Sequence, residues 1–400
     1  MQLREHLTTE KLNNIIVGCL FIMVFCSTFS IALTQIAYYT ALIVWLSLIL
    51  TKKEKFQPTP LDLWFSLYLV IELVSTIFAY DRIDALLHIQ KRLLLLPIVY
   101  LIFRYIDTRE RIMRILMTLF ISAAIVGLLS SISILIQFSA YSHYIKRFDI
   151  YNHYMTIGGI SMFMLLLMIP FSLNRQITLT QRILLIIGVA AILLTLIFTF
   201  TRSSWLGLII GIIVLVMLRF KKLLYLFLVV VVGVVIIGSP ELHVRFLSIF
   251  DPTDPSNDLR LRMWNVGLKI FQDNPILGVG DISLNPLNDA YSQHTMDFGH
   301  MHNNFVQWLV TMGIVGFVIV ILWFIKIWKL FWSAYRKMKD DWLYGSFTAG
   351  AIAVFVGFHV NGLFEWNFGD AEIYTLFWII VGLVLSVRKQ NDEAPRLQTT

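Results

Sequence analysis

The chain has 400 residues, of which 58% are apolar and only 14% charged, too little polar surface to cover a water-soluble globule of this size. Its formal charge of +7 comes from basic residues that punctuate apolar runs and form no stripe or patch, so it carries no nucleic-acid footprint. Apolar runs recur from end to end at roughly the 20 residues a helix needs to cross ~30 Å of hydrocarbon, and the ten-residue alternation of a membrane β-barrel is absent.

An all-α polytopic membrane protein is therefore expected, with 1–400 as one integral membrane domain and twelve spans at 13–30, 32–50, 61–79, 93–106, 115–137, 156–173, 183–200, 205–219, 223–239, 306–325, 343–364 and 372–387. The first run follows Arg4 and Lys11 but is read as a retained span, because the next run follows almost at once without a small-residue cleavage pattern. Cys19 and Cys26 both fall inside it, seven apart, which predicts packing rather than a disulfide or metal pair. With the N-terminus inside, 22 of the 32 lysines and arginines lie in cytoplasmic segments and 10 outside. By the positive-inside rule, both termini are cytoplasmic. The basic, aromatic segment Lys326 to Trp342 reads as an interfacial extension of a helix. No G-x-x-x-x-G-K loop occurs, so ATP is not the expected energy source.

One connection is far too long for its job: 239–305, between the ninth and tenth spans, is predicted to be a periplasmic loop carrying part of the active site. Its stretch Asp251-Pro252-Thr253-Asp254-Pro255-Ser256-Asn257-Asp258 announces a turn and a helix start near Asp258. From there to Gln272, Arg260, Trp264, Gly267 and Phe271 share one helical face, while Arg262 and Lys269 lie on another and suit solvent or headgroups. Arg260 then either snorkels to the interface or directs its guanidinium into a watery cavity to hold a phosphate. The helix should stop at Asp273-Asn274-Pro275, and Gly278-Val279-Gly280 lets the backbone turn.

The loop ends in Gly299-His300-Met301-His302-Asn303-Asn304-Phe305. His294, Asp297, His300 and His302 raise a metal site, but their spacing fits no familiar zinc pattern. No metal and no cofactor is expected. His302, placed at a helix start where the dipole disfavours an imidazolium, is the better candidate for a general base. Arg202 is the only charge in the short outer turn Thr201-Arg202-Ser203-Ser204-Trp205, a costly position without an anionic partner, unless it too snorkels. Glu365, Asp370 and Glu372, in the last outer turn, either pair with the arginines or solvate the turn.

At these residues the sequence resembles the O-antigen ligase and polymerase superfamily of bacterial envelope glycosyltransferases, most of all the ligases. The resemblance lies in the Arg202 turn, in Arg260-Leu261-Arg262-Met263-Trp264 followed by Asn274-Pro275-Ile276-Leu277-Gly278-Val279-Gly280, and in His302-Asn303 followed after nine residues by Gly313-Ile314-Val315-Gly316. It implies a metal-independent transfer at the periplasmic face of the bacterial inner membrane. The donor would be a glycan on undecaprenyl diphosphate and the acceptor lipid A core. Arg202, Arg260 and His302 would then be catalytic, with Lys91, Arg92, Arg262, His300 and Asn303 as substrate contacts. The polymerases, which join lipid-linked repeat units, share many of these motifs. A polysaccharide transporter also fits twelve helices, but transporters place their polar sites near the midplane and often show internal repeats; here the ionisable residues gather in the outer turns.

Overall fold

The computed structural model describes residues 2–140, 153–221, 223–225, 240–249, 251–292 and 298–397. The predicted ninth span falls almost wholly outside them, as do Lys146, Arg147, His294 and Asp297. The described residues form helices and no strand: α1 (Gln2–Cys26), α2 (Ile31–Leu50), α3 (Asp62–Ile77), α4 (Arg82–Leu93), α5 (Ile98–Tyr105), α6 (Arg109–Ala140), α7 (Tyr154–Ser172), α8 (Leu179–Phe198) and α9 (Arg202–Leu218). After the undescribed stretch come α10 (Pro240–Leu247), α11 (Pro255–Asp273), α12 (Asn285–Tyr291), α13 (Asn304–Met338), α14 (Trp342–Asn361) and α15 (Ala371–Leu397).

Nine helical stretches among the described residues are long and apolar enough to cross a membrane. Every predicted span within the described residues coincides with helix, although α3 and α9 are short, at 16 and 17 residues. The expected fourth span began too late. Helix begins at Arg82, not near 93, and Pro97 starts a second segment, so Arg82–Tyr105 is one apolar stretch made of α4 and α5. The charges of α4 concealed it in the sequence; it packs inward through Ala85, Ile89 and Arg92. The basic segment after the tenth span does extend that helix, to Met338. Cys19 and Cys26 are free thiols of α1.

Helices α7, α14 and α15 are buried on nearly all sides, and the others surround them. Two glycines bring α9 and α14 together: a Cβ on Gly207 would lie 2.9 Å from the Gly357 carbonyl oxygen. Small residues at such a crossing let backbones approach where lipid supplies no hydrophobic drive between helices. Polar side chains then lock one end of the bundle, with Asn361 Nδ2 donating to Ser204 Oγ at 2.9 Å and Asn367 Nδ2 donating to the Phe358 carbonyl at 2.9 Å.

The same end receives α10 to α12. Helix α11 is attached by its following loop, which pairs with a break in α13. Gly313 leaves the helical conformation at φ 62°, and the exposed backbone is taken up by the loop. Val279 N donates to Val310 O (2.9 Å), Gly280 N to Thr311 O (3.0 Å) and Ile314 N to Pro275 O (2.8 Å). Gly278 and Gly280 have φ of 70° and 88°, and a Cβ on Gly278 would meet the Val310 carbonyl at 2.5 Å. Only glycine satisfies both demands. Ser75 Oγ of α3 lies 2.7 Å from Thr311 O and 3.0 Å from Leu277 O, joining the assembly to the bundle.

Candidate active site

Asp254 organises the first half of the site. It caps α11, its carboxylate accepting from Ser256 N at 3.1 Å and Asn257 N at 3.3 Å, with Pro255 in the first turn, where its missing N–H costs nothing. The helix thus starts at Pro255, one turn earlier than expected. The same Oδ1 accepts from Arg202 Nη2 at 3.0 Å. Burial pushes the Asp254 carboxyl up, but the charge and hydrogen bond of Arg202 outweigh it and hold the group below the usual range.

Arg202 has its anionic partner and does not snorkel. Nη2 also donates to Asn257 Oδ1 (3.0 Å), and Nη1 donates to Ser248 O (2.8 Å) and Ser248 Oγ (2.7 Å). Arg260 donates from Nη1 to Ser256 Oγ (2.7 Å) and from Nε to Phe364 O (3.0 Å); Nη2 has no partner among the described residues. Burial lowers its pKa, which Glu365 partly offsets. Arg202, Arg245 and Arg260 line one cavity of about 290 Å³ with Tyr154, Ser203 and Phe364. Arg245 was missed from the sequence, because it lies on α10, an element with no motif to mark it.

The α11 face is rotated from the expected one. Met263, Val266, Gly267 and Ile270 are the buried positions, because the loop and the broken helix α13 cover them. Arg260 and Trp264 lie at the edge of that face, Trp264 Nε1 donating to Met301 O at 3.0 Å. Arg262 is on the surface, paired with Asp258 at 2.6 Å and about half exposed.

The second half of the site is the histidine segment. Asn303 is the N-cap of α13: its Oδ1 accepts from Phe305 N and Val306 N, and its Nδ2 donates to Leu363 O at 2.9 Å. Its polar atoms are therefore engaged in fixing the segment. His302 stands just before the cap, in the left-handed region at φ 45°, a conformation that non-glycine residues adopt at a cost. Its Nδ1 lies 3.0 Å from Glu365 Oε1, in the turn between α14 and α15. Glu365 thus partners a histidine, neither of the alternatives expected of it. Asp370 caps α15 and accepts from Thr156 Oγ1 at 2.6 Å; burial, reinforced by Glu372, pushes it up to about 7.

His300 packs on His302, ring centroids 4.1 Å apart, and its Nδ1 accepts the His302 amide at 3.3 Å. Burial, then the neighbouring His302, lowers its pKa to about 4, so it is neutral. Burial raises the Glu365 carboxyl, but the hydrogen bond from His302 and the nearby Arg260 guanidinium hold it below its usual range. His300, His302 and Glu365 offer donor atoms within 4.8 Å of one another, and a metal there would use these three. As they stand, the facing atoms bond to each other and to the backbone.

Arg92 is buried, Nη2 lying 2.6 Å from Asp281 Oδ1 and the guanidinium 4.8 Å from the centre of the Trp366 ring. Lys91 beside it is exposed. Neither lines the arginine cavity. The structure thus brings Arg202 and Arg260 to one cavity and leads from Arg260, through Phe364 and Glu365, to His302.

Fold and site together define a multi-pass helical membrane protein with a cationic cavity and a carboxylate-held histidine at one end of its bundle. Residues 187–321 match the O-antigen ligase family, and that stretch includes all three cavity arginines and His302. A Rickettsia conorii protein named "Putative polysaccharide ligase" is 25% identical over 200 residues, 45% of this chain and 44% of that protein, so the match covers under half of the relative's length.

Proposed function

We propose that the protein is a glycosyltransferase of the O-antigen ligase type. It takes a glycan from an undecaprenyl diphosphate carrier to lipid A core, at the periplasmic face of the bacterial inner membrane, with both termini in the cytoplasm. The observation that carries this reading is the convergence of Arg202, Arg245 and Arg260 on one cavity that is linked through Phe364 and Glu365 to His302.

A diphosphate is already a good leaving group. What it needs is fixed positive charge on its oxygens and a base for the incoming hydroxyl. Arg260, whose Nη2 has no partner among the described residues, makes the direct contact; Arg202, tied to Ser248, Asp254 and Asn257, contributes field and shape. At about 290 Å³ the cavity is at the lower end of small-ligand sites, which suits the diphosphate and an adjoining sugar, with the rest of the glycan and the lipid outside. His302 Nε2 accepts the acceptor proton as the hydroxyl oxygen attacks the anomeric carbon from the face opposite the diphosphate. The carbon–oxygen bond to the diphosphate breaks, its electron pair leaves with undecaprenyl diphosphate, and the new glycosidic bond is inverted. No step calls on a metal.

The test is the lipopolysaccharide of a deletion strain. Loss of long-chain caps with lipid-linked long chains retained is the expected result. Caps of a single repeat would make the protein a polymerase, and normal caps would refute the reading.

A further inference from the structure

We infer that Glu365 is the positioning residue of His302: its Oε1 fixes the imidazole as the Nδ1–H tautomer, leaving the Nε2 lone pair to take the acceptor proton, and its charge steadies the imidazolium that results. This rests on the base role proposed for His302. The geometry is specific. Oε1 lies 3.0 Å from His302 Nδ1 and also accepts the Trp366 amide at 3.2 Å. Side-chain exposure is 20% for the histidine and 12% for the glutamate, so water does little to screen the pair. Oε2 is buried and has no hydrogen-bond partner among the described residues, so no second donor quenches the charge. The histidine is held on the other side as well: its backbone is fixed between the His300 ring and the Asn303 cap, and Phe298 meets its ring edge-on at 6.1 Å. A base held in one tautomer by a third group is the arrangement that makes an imidazole efficient in proton transfer.

The Trp366 amide sharpens the test. It donates to Oε1, so in Glu365→Gln the amide oxygen must take that place, and the tautomer survives while the charge is lost. Glu365→Ala loses both. The charged and titratable groups around His302 are Glu365 and His300, with Arg260 and Arg92 one step further out; only the first is altered by these variants. The experiment uses the full chain in nanodiscs with synthetic undecaprenyl diphosphate glycan and lipid A core, alongside ¹⁵N spectra of the histidine rings.

Wild type should show His302 protonated on Nδ1. Glu365→Gln should keep that signal, lower kcat about tenfold at unchanged donor KM, and move the acid limb of the rate profile to lower pH. Glu365→Ala should release the Nε2–H tautomer and lower kcat by about 10²- to 10⁴-fold. An Nε2–H ring in wild type would overturn the inference, as would wild-type kcat in Glu365→Ala beside an inactive His302→Ala. Wild-type transfer by His302→Ala would instead remove the base role itself, whatever the spectra show.

Discussion

Arg202→Ala should damage stability and transfer separately, and a second substitution can divide the two. The guanidinium donates four hydrogen bonds, and its ion pair with Asp254 is nearly enclosed, with side-chain exposures of 7% and 15%. Removing one partner of a buried pair costs about 3–5 kcal/mol, because the other charge is left without compensation. Asp254 keeps its two capping amides and has Arg245 at 4.0 Å, so the lower end, about 3 kcal/mol, is expected. Adding Asp254→Asn removes the stranded charge while keeping a good cap, and should recover most of the stability with a coupling of about 1–3 kcal/mol. Acid should report the same pair. Asp254 is held below its ordinary value in the folded protein, so its contribution is complete above the unfolded carboxyl range and disappears as pH falls through the folded value; Arg202→Ala should lose that acid-sensitive part. Thermal unfolding in nanodiscs gives the stability, and transfer from a synthetic donor gives the activity. The double variant should be stable but at least about tenfold slower than wild type. Wild-type unfolding in Arg202→Ala, or no recovery in the double variant, would refute the reasoning.

Arg260→Ala should lose about 1.5–3 kcal/mol of charge-assisted contact, a roughly 10- to 10²-fold slower transfer, whereas the surface pair of Arg262 makes Arg262→Ala nearly silent; the reverse order would discredit the assignment of Arg260 to the cavity. His302→Ala should reduce transfer by about 10²- to 10⁴-fold, and His300→Ala should retain a substantial fraction. Chelators should leave the wild-type rate unchanged, and inhibition reversed by zinc would move the assignment to a metal held by His300, His302 and Glu365. Asp370, pushed up to about 7, binds its proton more tightly folded than unfolded, so it costs stability as pH rises from about 4 to 7. Asp370→Asn, which still caps α15, should therefore unfold above wild type at pH 8 and level with it near pH 4; equal gaps at both would refute that account. Alkaline phosphatase fused at Asn288 should be active and at the C-terminus inactive, and the opposite pattern would invert the topology and with it the mechanism.

Much of the fold was legible because lipid is a simple solvent. A helix that must satisfy its own backbone in hydrocarbon writes its length into an apolar run, and the described spans coincide with the runs that predicted them. The errors fall where that rule does not apply. Arg82–Leu93 carries charges and reads as a loop, yet it buries Arg92 against Asp281 from a segment 189 residues away, a partner that no local pattern could announce. The α11 face was misjudged by part of a turn for a related reason. Periodicity defines a stripe, but which edge of the stripe is covered depends on the Pro275–Gly280 loop entering the break at Gly313.

The site divides along the same line. Residues whose importance comes from being out of place could be found in the sequence: an arginine alone between two apolar helices, another on an amphipathic face, a histidine before a span. Their partners could not. Asp254 looked like a turn residue and Arg245 like nothing in particular, yet the first holds Arg202 and the second helps to line the cavity. Glu365 lies 63 residues from His302, across two membrane helices and beyond residues 187–321, where the family match ends. Its pairing follows from the Asn303 cap, which bonds Leu363 and so brings the last turn against the start of α13. The cap was visible as a residue type, but the contact that gives it purpose exists only when both helices are packed. In this chain the groups that would touch substrate are legible singly, and the groups that position them emerge from helix packing.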